Sequence, residues 1–164
     1  TIVPCLMFSD AVSGRAEAAM RFYAGALPGG AVESITRYDA GEGPEGSVKH
    51  GRFRMAGQEM IAMDNHVGRG LPFSEALSLQ VMCRDQAEVD HCWAALSEGG
   101  REGPCGWLTD RFGVSWQVVP EGIVQWMVST DVAARDRAFA AMLQMGKLDI
   151  AALTAAFEDR SREA

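Results

Sequence analysis

Gln117 is a polar side chain set inside an otherwise apolar run, Trp116-Gln117-Val118-Val119. A carboxamide in such a run carries both a donor and an acceptor, so it needs partners or a ligand, and it marks the wall of a cavity. Asp64 and His66 offer a carboxylate and an imidazole two residues apart, which could hold a divalent metal. Their place just past a strand, in a loop, fits a solvated surface role better. His50 alternates with Arg52 and Arg54, the pattern of a polar outward strand face. His91 falls in a helical stretch and reads as a surface or half-buried imidazole.

The thiols point to packing. Cys5, Cys83, Cys92 and Cys105 form no CxxC pair, and no histidine stands at zinc-finger spacing from them. Cys5 and Cys83 lie in strand-like runs, where free cysteine behaves as a small hydrophobe. All four are expected to be buried thiols.

These residues need a scaffold, and the chain repeats one. Residues 2–8 read as a strand. Ala16, Ala19, Met20 and Tyr23 then recur at helical spacing until Pro28-Gly29-Gly30 stops the helix. A strand over 32–38 follows, then a Gly/Pro/Glu-rich loop over 39–46, then a hairpin of 47–55 and 59–63 turning at Ala56-Gly57. After a loop over 64–72 the order returns: a strand over 76–83, a helix over 86–97 with Val89, Trp93 and Leu96 on one stripe, and two strands about the Asp110-Arg111-Phe112-Gly113 turn. The chain therefore reads as one domain over 1–164 built from two β-α-β-β-β modules, about 1–65 and about 74–120. At least one strand of the second module is shortened.

From residue 121 the pattern turns helical, with segments 123–128, 131–145 and 149–158, caps at Thr130-Asp131 and Asp149, and Gly146 as a stop. Phe139, Met142 and Leu143 give one apolar stripe, and Ile150, Leu153 and Phe157 another. Both should pack on the sheet or on a second subunit. Residues 159–164 are expected to fray.

Composition excludes several partners. A net charge of −7 without a basic cluster opposes phosphate neutralisation, so nucleic acid is not an expected partner. No apolar run reaches the roughly 20 residues that span a bilayer, and the amino end lacks the charged-then-apolar order of a secretion signal. A membrane partner is not expected either, and a soluble cytoplasmic protein is.

Several stretches go beyond a fold pattern. These are Glu17-Ala18-Ala19-Met20-Arg21-Phe22-Tyr23, the Phe53 to Gln58 segment, Glu98-Gly99-Gly100, the run from Cys105 to Pro120, and Ala141 to Met145 with Lys147 to Leu153. Together they resemble the PhnB-like branch of the glyoxalase/bleomycin-resistance (vicinal oxygen chelate) superfamily, a family also labelled 3-demethylubiquinone-9 3-methyltransferase. The resemblance covers nearly the whole chain. It implies an α+β fold in which the duplicated modules form a cupped mixed sheet, here with a C-terminal helical appendix over 121–164. It also implies a small ligand in the cup, often on a divalent metal, and a homodimer.

The metal version of that site would draw its ligands from the positions of Val3, Ser78, Ile61 and Gln117. None of these is a strong metal ligand, and a register shift of one gives Pro4, Leu79, Ala62 and Val118. No cofactor is therefore expected, although a divalent metal remains the superfamily alternative, with Asp64 and His66 as its weak candidates. By the same alignment Ser78 and Gln117 face into the cup, where they could orient a polar ligand or satisfy each other. Trp107, Trp116, Phe22, Tyr23 and Phe73 could line its apolar wall, and Asp110 caps the turn to Phe112-Gly113. Catalytic residues are not assigned. The methyltransferase label has no support in the residues: no strand leads through a glycine-rich loop into a helix, as an S-adenosylmethionine site of Rossmann type needs. Gly41-Glu42-Gly43-Pro44-Glu45-Gly46 is glycine-rich, but its proline and glutamates suit a hairpin loop.

Overall fold

A computed structural model describes residues 1–68 and 70–159. The expected fraying over 159–164 lies, beyond Asp159, outside the described residues. The chain divides into two compact units, Thr1–Phe73 and Ser74–Ala164.

The first unit contains β1 (Cys5–Ser9), α1 (Ala16–Ala26), β2 (Ala31–Arg37), β3 (Val48–Met55) and β4 (Gln58–Asn65). Its four-stranded sheet runs β1-β4-β3-β2, with β1 parallel to β4 and the other pairs antiparallel. The helix buries Ala16, Ala19, Met20 and Tyr23, the stripe read from sequence, against one face of the sheet. Gly51 allows the close approach, because a Cβ there would stand 2.5 Å from the Met20 sulfur. Ala56 and Gly57 both have positive φ, 47° and 79°, the geometry of a two-residue type I′ hairpin between Met55 and Gln58.

The second unit repeats the plan with β5 (Ser78–Cys83), α2 (Gln86–Ser97), β6 (Arg101–Glu102), β7 (Trp107–Thr109) and β8 (Ser115–Pro120). Its sheet runs β5-β8-β7-β6, again with the first pair parallel and the others antiparallel. The same order twice makes the chain a duplication in structure as well as in pattern, and the two-residue β6 is the shortened strand. Asp85 caps α2 by accepting from the Glu88 amide at 2.9 Å, and the Glu88 carboxylate accepts from the Arg84 amide at 2.8 Å. The helix buries Val89, Cys92, Trp93 and Leu96 over the sheet.

Three helices close the second unit: α3 (Gly122–Met127), α4 (Val132–Met142) and α5 (Ile150–Glu158). Asp131 and Asp149 cap α4 and α5, each carboxylate accepting from an amide at 2.9 Å. Val119, Ile123, Leu148 and Leu153 form a buried cluster here, with Trp126, Ala141, Met142 and Met145 packed against it. The last two stripes thus find part of their cover inside the chain.

Some expected boundaries move. β1 and β5 start later than the apolar runs suggest, because only the residues facing a partner strand join the ladder. α4 ends at Met142, three residues early, where the Gln144 and Met145 amides bond back to Ala141 and Met142 in tight turns. β4 extends through Asn65, which places Asp64 in a strand rather than in a loop.

Candidate functional site

Alternation along the strands of the second sheet separates two faces. Val81 and Cys83 of β5, Leu108 of β7, and Trp116 and Val118 of β8 are buried, and α2 packs over this sheet. The opposite face carries Ser78 and Gln80 on β5, Gln117 on β8 and Trp107 on β7. Gln117 pairs in register with Gln80 on one side and with Trp107 on the other, so the three form a row across the sheet. The Gln117 Nε2 group donates to the Ser78 hydroxyl at 2.8 Å, and Gln80 Nε2 donates to the Gln117 carbonyl oxygen at 3.4 Å. Ser78, Gln117 and Trp107 are half-buried and Gln80 is exposed. This row presents neutral donors and acceptors beside an indole. It can hold a carbonyl, hydroxyl or amide group and stack a flat apolar body.

Trp107 also lines a recess of about 240 Å³ with Glu75, Arg101, Gly103, Pro104, Leu108 and Thr109. Arg101 and Glu75 put one charge of each sign on that recess. Sequence reasoning named neither of them. The only available signal was the alternation of Arg101 and Gly103 ahead of Trp107, too short a pattern to read.

The structure places the other candidates within their own units. Trp116 is 1% exposed and belongs to the core on the α2 side, its indole Nε1 donating to Asp110 at 2.8 Å. Asp110 caps its turn as expected, accepting from the Phe112 and Val114 amides at 2.8 and 3.1 Å. Phe22 sits on α1 with its ring edge-on to Tyr23, and Phe73 packs edge-on to the buried Phe8. Both belong to the first unit, and Tyr23 is core there.

Asp64 is not a solvated residue. It is 2% exposed, and its carboxylate accepts from the Ala16 amide at 3.1 Å and the Val48 amide at 2.9 Å. It ties the start of α1 to the start of β3. His66 bonds Ser13 through Nδ1 at 2.8 Å and Ser47 through Nε2 at 2.9 Å, with Tyr38 edge-on to its ring. Ser47 donates its own hydroxyl proton to the Pro44 carbonyl at 2.6 Å. With the Ser47 proton so used, His66 Nε2 donates to the Ser47 oxygen. Both residues are spent on loop geometry.

His50 lies half-buried on β3 and His91 is exposed on α2, as expected. Among the thiols only Cys83 and Cys92 are buried. Cys5 is exposed and Cys105 half-buried, because alternation turns Cys5 away from α1. Burial pushes the Cys5 thiol up, and contact with Cys92 together with burial pushes Cys83 up further.

The model of the 3-demethylubiquinone-9 3-methyltransferase family matches residues 1–119. The chain belongs to this family. Among solved structures it is similar to a PhnB protein from Bacillus cereus, named as a candidate 3-demethylubiquinone-9 3-methyltransferase. The two share 35% identity with a TM-score of 0.66, over 73% of this chain and 98% of that one. A protein from Pseudomonas aeruginosa is similar at 28% identity and a TM-score of 0.60, over 74% of this chain and 97% of that one. No curated protein matches the chain. The PhnB-like family and an α+β fold are thus the right frame for this sequence. The family model stops at residue 119, just ahead of α3.

Two properties attached to that frame can be tested on the residues. The superfamily's metal would fall to Val3, Ile61, Ser78 and Gln117. Val3 and Ile61 have no ligating side-chain atom, and Ser78 and Gln117 are bonded to each other, so the residues do not fit the ion. Among the described residues no three His, Cys, Asp or Glu side chains gather where a metal could sit. The family's name describes methyl transfer, but neither sheet of this PhnB-like chain is the open parallel sheet of a Rossmann-type domain. Each contains a single parallel pair. No described helix is long and apolar enough to cross a membrane.

Proposed function

We propose that this PhnB-like protein binds a small organic molecule at the Gln117 row of its second sheet, without a metal. The Gln117 to Ser78 hydrogen bond beside Trp107 carries this reading. A carboxamide, a hydroxyl and a second carboxamide from Gln80 suit a neutral polar group, whereas all three are weak ligands for a divalent ion. The recess beside Trp107 gives room for an apolar body, and Arg101 and Glu75 on its lining suit a charged substituent. Binding or sequestration explains these residues without a nucleophile or base.

In this reading the protein is a cytoplasmic homodimer, as the family resemblance implies. Val124, Val128, Val132 and Leu143 support it, being 51%, 75%, 54% and 50% exposed on or beside the terminal helices. A mass near 17.7 kDa in light scattering would remove the dimer.

Native mass spectrometry with elemental analysis of untagged protein tests the site. A metal-free protein carrying an organic adduct that Gln117→Ala loses is the expected result. One metal per chain overturns the metal-free reading, and an adduct retained by Gln117→Ala overturns the placement.

A further inference from the structure

Another recess of the second unit belongs to the helices beyond the family match. α3, α4 and α5 enclose about 360 Å³ between Ile123, Trp126, Met127, Ala138, Phe139, Met142 and Leu153, with Arg135 and Asp136 as its polar residues. That volume and this mostly apolar and aromatic lining are those of a small-molecule site.

Two arginines of α4 are used differently. Arg137 donates to the Ala156 and Phe157 carbonyls at 3.1 and 2.9 Å and so secures the end of α5. Among the described residues Arg135 has one ionic neighbour, the adjacent Asp136 carboxylate at 3.6 Å, too far for a hydrogen bond. Both residues line the recess, and the guanidinium, at 41% exposed against 69% for Asp136, is the more sheltered of the two. A guanidinium fork at an apolar cavity matches a carboxylate, which it can hold with two parallel hydrogen bonds.

We propose that the α3–α5 recess is a second ligand site, one that takes a medium-sized apolar monocarboxylate with its carboxylate on Arg135 and its body against Trp126, Phe139 and Met142. The site is separate from the row at Gln117 and does not depend on it.

Calorimetric titration of the whole protein with decanoate, and with decanol as its uncharged counterpart, tests this. Decanoate should bind once per chain and about tenfold or more tighter than decanol. Arg135→Gln, at a half-exposed position, should bring the two within about twofold of each other. Met142→Trp, checked for folding by circular dichroism, should weaken both by filling the recess. The proposal is overturned if decanoate does not bind, if Arg135→Gln leaves its preference over decanol intact, or if Gln117→Ala abolishes binding instead. A change in the number of subunits per assembly in Arg135→Gln also overturns it, since a second copy of the chain would then be the occupant.

Discussion

Asp110 and Trp116 are joined across the last hairpin by a 2.8 Å hydrogen bond from the indole Nε1 to a buried carboxylate oxygen. The other oxygen of Asp110 takes two backbone amides of the turn. One side chain thus sets the turn and fixes the largest fully buried residue beneath α2.

Removing that carboxylate strands three buried donors at once. Asp110→Ala should lower stability by about 3–5 kcal/mol, since each unsatisfied buried group costs about 1–3 kcal/mol and the losses are not fully additive. Trp116→Phe removes one donor and some volume and should cost about 1–3 kcal/mol. Urea unfolding measures both. A loss under about 0.5 kcal/mol for Asp110→Ala would mean that water reaches the turn and replaces the carboxylate.

Asp64 gives a contrasting prediction, because a metal role and a clamp role differ in what removes them. Asp64→Asn puts an amide group against one of two backbone donors and should cost about 1–3 kcal/mol. Prolonged dialysis against EDTA should leave the melting temperature unchanged. A drop on EDTA treatment, restored by a divalent ion, would return Asp64 and His66 to the metal reading.

Gly106 has φ of +80°, and a Cβ there would stand 2.7 Å from the Val118 carbonyl and 3.1 Å from Leu148 Cδ1. Gly106→Ala should therefore cost more than the roughly 1 kcal/mol of an ordinary strained backbone position. Gly57→Ala, with φ of +79° but nothing within 4 Å, should cost only the backbone component. Equal losses in the two variants would show that the contact with Val118 and Leu148 is relieved by a small shift.

Thiol counting separates the cysteines. At most two, Cys5 and Cys105, should react with a disulfide reagent in native protein, and all four after unfolding. Cys5 should react slowly at neutral pH, since its raised pKa leaves little thiolate until the solution becomes alkaline. A native count of four at the unfolded rate would show that α2 does not protect Cys83 and Cys92.

Much of the scaffold is legible because its signals are local. The spacing of Ala16, Ala19, Met20 and Tyr23 gives α1, and Asp85, Asp131 and Asp149 cap their helices within three residues of themselves. Alternation puts Gln117 on the face opposite Trp116 and Val118 without saying which of the two faces is covered. Trp116 is harder: its burial depends on α2 lying over β8, and alternation alone does not say which face a helix covers. Asp64 is harder still. Its partners lie 48 and 16 residues away, and a carboxylate held by distant amides looks like any acid at a strand end. The α3–α5 recess is not legible at all, because three separate helices must meet before Arg135 has a cavity beside it.

The segment ahead of β7 is also paired to the terminal helical region. The Cys105 and Gly106 amides donate to the Met145 and Gly146 carbonyls at 2.7 and 2.8 Å, and the Gly106 carbonyl accepts from Val118 at 2.8 Å. Removing everything after Pro120 would leave two amides next to the central strand without acceptors and would strip the cover from Val119. Although the family match ends before these helices, they are not a detachable tail. Shortening this chain would thus cost stability at the second sheet, where the amides of residues 105 and 106 and the Val119 side chain would turn to water.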